Sequence, residues 1–191
     1  MTQLNVIDNL KSYTIPEIGD YCAKNSIPAS VAMINIGGDF NLSTMIRNAN
    51  FFGFRSVHYV GKKKWDKRGS VGTYHYTPVY HHKNEESFLL QCSGRTIIAI
   101  ENNIPEYDDK TINLFHYKFL NTLEPIFIFG EENKGLSNMI LDRANVILTI
   151  PNYGSVRSLN VGTTSGIVMG VYRNFVEKLK NETQELTEVG R

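Results

Sequence analysis

A chain of 191 residues, 41% hydrophobic and 20% charged, is long enough for one domain burying roughly 70% of its unfolded surface, and its balance excludes a disordered or fibrous protein. The formal net charge of +1 sets up no global field, so any nucleic-acid partner must be met by a local cluster of charge. No apolar run approaches the roughly 18 residues of a membrane span, and the N-terminus lacks a basic flank followed by an apolar core, so a cytoplasmic protein without membrane contact is expected.

In chain order, residues 1–29 hold a break at Pro16 and a weak amphipathic pattern that predicts a helix over 15–25, an N-terminal extension to the main domain. Five runs then read as strands: "SVAMINI" (30–36), "SVHYVG" (56–61), "RTIIAIE" (95–101), "PIFIFG" (125–130) and "NVILTI" (145–150). Each is nearly continuous in apolar residues, as a strand covered on both faces should be. Between the first two, Leu42, Met45, Ile46, Ala49 and Phe52 recur at helical spacing, with Asn41 or Ser43 able to cap the start and Gly53 to end it. A second helix is predicted over 84–91, and the longest from about Ser158, as its cap, to Lys180. The domain is therefore expected over 30–180, with 181–191 a frayed tail. Strands alternating with helices predict an α/β fold: a mostly parallel sheet with helices on both faces.

Two lone cysteines, Cys22 and Cys92, lack CxxC spacing and read as buried or idle thiols. His58, His75, His81, His82 and His116 lack metal-ligand spacing, so no metal is expected. One basic cluster stands out. "GKKKWDKRGS" sets Lys62, Lys63, Lys64, Lys67 and Arg68 around Trp65, which suits either phosphate neutralisation with the indole stacked on a base, or a solvated loop anchored by one aromatic.

In a doubly wound sheet, ligands bind beyond the carboxyl ends of the strands, which points to the loops leaving Ile36, Gly130 and Ile150. Gly130, Gly135 and Ser137 approach the spacing of a phosphate loop, but Leu136 stands where that motif needs lysine, and Glu131 and Glu132 would repel a triphosphate. A cationic small ligand suits that acidic, glycine-lined loop better. Gly162, Gly166 and Gly170 share one face of the last predicted helix at a cost of about 1 kcal/mol each relative to alanine, so something must approach that face closely. Arg47 sits on an otherwise apolar helix near the glycine loop, where a guanidinium can clamp phosphate or snorkel from the helix edge. "GTTSG" fails the nucleophile-elbow pattern, and nothing marks a covalent nucleophile.

Three segments together resemble the SpoU, or TrmH-like, branch of the SPOUT superfamily of RNA 2'-O-ribose methyltransferases. They are "NLSTMIRNANFFGF", "FIFGEENKGLS" and "VILTIPNYGSVRSLNVGTTSG", in the order and spacing of that family's motifs. The resemblance runs from about Ser30 to Arg173 and implies a C-terminal deep trefoil knot, an exception to the usual absence of knots. It implies S-adenosylmethionine (SAM) as cofactor, held by groups near Glu101, Gly130, Ile150 and Leu159, and RNA as substrate, with tRNA favoured over rRNA. It also implies a homodimer whose composite site receives Arg47, either to activate the ribose hydroxyl or to clamp phosphate and stabilise the alkoxide, while Asn41, Glu132, Ser158 and Asn160 order the loops around it. A knotted RNA-binding protein without catalysis is the alternative. Two departures from the family pattern are the short stretch of about 29 residues before the first strand, where many relatives carry an RNA-binding domain, and Glu131, where many have asparagine or an apolar residue.

Overall fold

The structure is a computed structural model and describes residues 4–36, 40–120, 124–131 and 134–189. Among these described residues, seven strands form one sheet: β1 Ile27–Ile36, β2 Phe54–Gly61, β3 Val79–His82, β4 Thr96–Ile100, β5 Thr111–Asn113, β6 Pro125–Phe129 and β7 Val146–Thr149. Their spatial order is β3-β2-β1-β6-β4-β7-β5, and every pair is parallel. The α-helices described are α1 Ile15–Lys24, α2 Phe40–Phe51, α3 Glu85–Gln91, α4 Asn138–Arg143 and α5 Val161–Val189.

The apolar runs divide between two cores by the two-residue period of a strand. Val31, Met33, Ile98, Ile100, Phe127, Phe129 and Leu148 turn to one face, where they meet Met45, Ile46 and Ala49 of α2 and Val168, Met169 and Tyr172 of α5. Ala32, Ile34, Ile97, Ala99, Ile126, Ile128 and Ile147 turn to the other, against Phe88 of α3 and Ile140 and Leu141 of α4. Burial on both faces is what a parallel sheet demands, and each fully buried side chain of this size contributes about 1.5–3 kcal/mol. A smaller cluster of Leu10, Ile18 and Tyr76 docks the N-terminal segment and α1, whose start is closed by a capping box of Thr14 and Glu17.

All five expected strands are present. β1 starts earlier than expected, at Ile27, and tolerates Pro28 in a central position because the register to β2 shifts between Ile27 and Ser30, so no ladder bond is asked of the proline. β3 and β5 were not legible. "VYHH" and "TIN" are short edge strands with no fully buried residue, so they carry no apolar run. The last helix also differs from expectation at both ends. It begins at Val161 rather than near Ser158, and it continues to Val189 where a frayed tail was expected. Residues 181–189 are rich in Glu, Gln and Thr with a leucine, mostly good helix formers that extend the helix without needing a core.

β7 lies between β4 and β5, two strands formed by earlier chain, and Leu114 N–H donates to the Thr149 carbonyl at 2.9 Å. From that inserted strand the chain runs through 150–160 and crosses to lay α5 against α2.

Candidate active site

The glycine face of α5 meets α2 of the same chain. A methyl group on Gly162 would stand 2.9 Å from Thr44 Cγ2, one on Gly166 3.2 Å from Asn48 Nδ2, and one on Gly170 3.4 Å from Phe52. Thr44, Asn48 and Phe52 are themselves four apart, so two i, i+4 ridges interlock, which explains the glycines without a bound ligand. Asn48 Nδ2 seals the contact by donating to the Gly162 carbonyl at 3.0 Å and to Ser165 Oγ at 3.1 Å.

At the head of this helix pair two of the expected site residues meet. Asn160, not Ser158, caps α5: its Oδ1 accepts the Thr163 N–H at 3.1 Å and its carbonyl accepts the Thr164 N–H at 2.8 Å. Asn160 Nδ2 donates to Asn41 Oδ1 at 2.9 Å, joining the start of α2 to the start of α5 across 119 residues of chain. Asn41 therefore lies inside α2, which begins at Phe40, and does not cap it from outside. Ser43 does not cap it either, because its hydroxyl donates to the Asp66 carbonyl.

Arg47 occupies the solvent side of α2. Leu42, Met45, Ile46 and Ala49 point to the core with no exposure, while Arg47, Phe40 and Phe51 face outward, Phe51 at 81% exposure. Arg47 makes no hydrogen bond or ion pair with the described residues, and the structure does not bring it to Asn160 or Ser158. Ser158 and Leu159 lie in the exposed, irregular segment 152–160. Glu132, with Gly37 and Gly38, lies outside the described residues.

The loops leaving β4, β6 and β7 are tied together by two side chains that follow β4. Glu101 Oε2 accepts the Leu136 N–H at 2.9 Å and its Oε1 accepts the Asn102 N–H at 3.0 Å. Gly135 makes this approach available: its φ is +64°, and a methyl there would stand 2.6 Å from Glu101 Oε2. The same turn brings Gly135 against Gly130, where a methyl would stand 2.7 Å from the Gly135 carbonyl oxygen. Asn102 grips the other loop. Its Oδ1 accepts the Thr149 hydroxyl at 2.5 Å and the Ile150 N–H at 3.3 Å, and its Nδ2 donates to the Ile150 carbonyl at 3.3 Å. Asn102 joins the candidate site although the sequence reading did not single it out; the signal was a pair of polar residues, "NN", after a buried strand. Ser137 caps α4 and donates to Glu85, so it fills a structural role rather than that of a phosphate-loop hydroxyl.

No cluster of three metal-ligating side chains occurs among the described residues. Two of the histidines, His58 and His82, instead extend a buried polar chain across β1, β2 and β3. Ser30 and Ser56 hydroxyls lie 2.8 Å apart, Ser56 meets His58 at 3.1 Å, and His58 meets His82 at 3.0 Å. Burial, then the neighbouring His82 and Arg95, push the His58 imidazole down to about 3. Burial pushes the Cys92 thiol up to about 11, with partial opposition from Arg95. That thiol is protonated at neutral pH, in line with an idle role.

Comparison with known proteins decides the family. The sequence model of the SpoU rRNA methylase family matches residues 28–170. The chain belongs to that family. A tRNA (guanosine(18)-2'-O)-methyltransferase of Borreliella burgdorferi is 27% identical over 155 residues, 76% of this chain and 68% of that protein. A putative TrmH family tRNA/rRNA methyltransferase of Bacillus subtilis, YacO, is 23% identical over 88% of this chain and 69% of its own length. Among solved structures, the A. aeolicus TrmH/SpoU tRNA modifying enzyme superposes with a TM-score of 0.73 at 22% identity, covering 87% of this chain and 84% of that one. An AdoMet-bound rRNA methyltransferase from Sinorhizobium meliloti gives 0.66 at 21% identity, covering 82% and 59%. These likenesses establish the shared parallel α/β fold of the SpoU family.

Proposed function

We propose that this SpoU-family protein is a SAM-dependent RNA 2'-O-ribose methyltransferase acting on tRNA as a homodimer. The observation that carries the reading is the Asn160–Asn41 hydrogen bond, which joins the first and third family segments at the carboxyl edge of the sheet. The second segment reaches the same edge through the Glu101–Leu136 bond. Named relatives that methylate the tRNA ribose hydroxyl support the choice of reaction and substrate.

The residues present fit SAM by the chemistry of what they leave free. Both Glu101 oxygens and the Asn102 amide are engaged in holding loops, so these side chains position the pocket and leave backbone groups to line it. Segments 130–136 and 150–160 would hold the cofactor through backbone near Gly130, Ile150 and Leu159, with little side-chain bulk at the glycines. SAM, when bound, supplies an electrophilic methyl group. The chain's own tasks are to align a ribose hydroxyl and to manage the charge that its deprotonation creates. Arg47 is assigned the second task. A guanidinium stabilises a developing alkoxide and holds an adjacent phosphate, and as a base it would be weak. Because Arg47 points away from Asn160 in its own chain, it is assigned to the site of a partner copy, and the exposed Phe51 beside it gives such a copy an apolar anchor. The insertion of β7 between β4 and β5 supports the knotted topology.

Incubation with methyl-labelled SAM and separate pools of tRNA and rRNA, followed by mapping of the labelled ribose, tests the reading. Label is expected on a 2'-oxygen in tRNA. Label confined to rRNA would replace the substrate, and no transfer to either pool, with SAM bound, would leave a knotted RNA-binding protein.

A further inference from the structure

The loop after β2 carries five cations within seven residues, and the structure separates them into two groups. Arg68 is committed to Asp66 through two side-chain nitrogens, at 3.0 and 2.6 Å, and this pairing holds the Asp66 carboxyl down at about 2. Lys67 lies over the Tyr74 ring at 4.7 Å and the Trp65 ring at 5.9 Å. Trp65 packs edge-on against Tyr74 at 5.8 Å and is half-buried, so the indole anchors the loop and is not free to stack on a base. Lys62, Lys63 and Lys64 are exposed and form no ion pair with the described residues.

These three free lysines are held on a fixed stretch of backbone. Tyr59 OH donates to the Lys63 carbonyl at 3.1 Å, the Ser43 hydroxyl donates to the Asp66 carbonyl, and Ser70 donates to the Lys67 carbonyl at 2.7 Å. Gly69 lies so close to Ser43 that a methyl on it would stand 2.9 Å from Ser43 Cβ. Ser43 precedes Arg47 by one helical turn, about 6 Å along α2. The loop is therefore docked on the helix that carries the candidate catalytic guanidinium, on the flank away from α5. Ordering three like charges side by side is electrostatically unfavourable unless a polyanion meets them.

We propose that Lys62, Lys63 and Lys64 form an RNA-backbone docking surface, binding the phosphates that flank the ribose presented to Arg47. The inference rests on the methyltransferase reading for the identity of that ribose. Recognition here is by charge and position, which is sequence-independent.

The test compares the full chain with its Lys62→Ala/Lys63→Ala/Lys64→Ala variant and the matching triple Lys→Arg variant, using fluorescently labelled bulk tRNA. Loss of three phosphate contacts is expected to weaken binding at least about tenfold at moderate salt and to make the slope of log affinity against log salt shallower by about 2. The arginine variant should restore both, because it restores charge without restoring lysine. SAM affinity, melting temperature and kcat at saturating RNA should not move, while KM for RNA rises. Unchanged RNA affinity and slope in the alanine variant would overturn the proposal. So would loss of RNA binding that arginine fails to restore, or lysine-dependent binding of poly-glutamate as tight as that of tRNA, which would assign the surface to an acidic protein. If tRNA binds through these lysines but no methyl group is transferred, the proposed reaction falls and the docking surface stands.

Discussion

Arg47 is a charged side chain on the solvent side of α2, a helix that also exposes Phe40 and, one turn after Arg47, a Phe51 that is 81% exposed. An arginine serving only its own helix would be expected to pair with a nearby carboxylate or carbonyl, and it does neither among the described residues. Arg47→Ala should therefore leave the melting temperature and SAM affinity unchanged while lowering methyl transfer by at least about a hundredfold, the scale of losing one positioned electrostatic stabiliser. Isothermal titration and single-turnover assays read the two effects separately, and near-normal turnover would remove Arg47 from the reaction. The sequence marked this residue through its motif. For Asn102 it offered only the polar "NN" pair after a buried strand, because the part that side chain plays depends on β7 ending beside β4.

At the scale of elements, the α2–α5 pair shows why three glycines persist despite their cost in helix propensity. The contact narrows toward the N-terminal end of α5: Gly162 is tight against Thr44, whereas the space at Gly170 admits a methyl at ordinary contact distance from Phe52. Gly162→Val is expected to destabilise the protein by about 1–3 kcal/mol through overpacking. Gly170→Ala should be neutral or stabilising by up to about 1 kcal/mol, since it gains helix propensity at little steric cost. Denaturant melts of the two variants check the contrast, and equal effects would refute the graded approach. The spacing of the glycines was readable in the sequence, but their partner was not. A small-residue face states that something comes close without naming what.

Across the whole molecule, the buried polar chain from Ser30 to His82 links three strands of the sheet, so its protonation is paid by the fold rather than by one loop. His58 is held down to about 3, and His82 is also lowered, by burial and then by His81. Below the ordinary histidine value of about 6.5 the unfolded chain binds protons that the folded chain refuses, so stability falls as pH drops from about 6.5 toward 3 and is complete above that window. The lowered carboxyls, Asp66, Glu17 and Glu177, lose their contributions only at lower pH, in the acid part of the range. Between pH 5 and 6.5 the melting temperature should therefore decline with acid, and His58→Phe should flatten that decline. A wild-type curve that is already flat there would mean that the pair protonates within the fold.

Local sequence signals were enough for the alternating α/β pattern, the five central strands and the three segments of the SpoU family, because each is written in periodicity or in residue types at fixed spacing; α4, six residues long, left no such signal. Three outcomes come from tertiary packing alone: α5 starts at Val161 under an Asn160 cap, Trp65 is an anchor rather than a platform, and Glu101 and Asn102 hold loops in place. Each of those outcomes depends on which distant residue supplies the hydrogen-bond or packing partner. The two edge strands, β3 and β5, belong with them, since a strand of three or four half-exposed residues is defined by the neighbour it pairs with and not by its own composition.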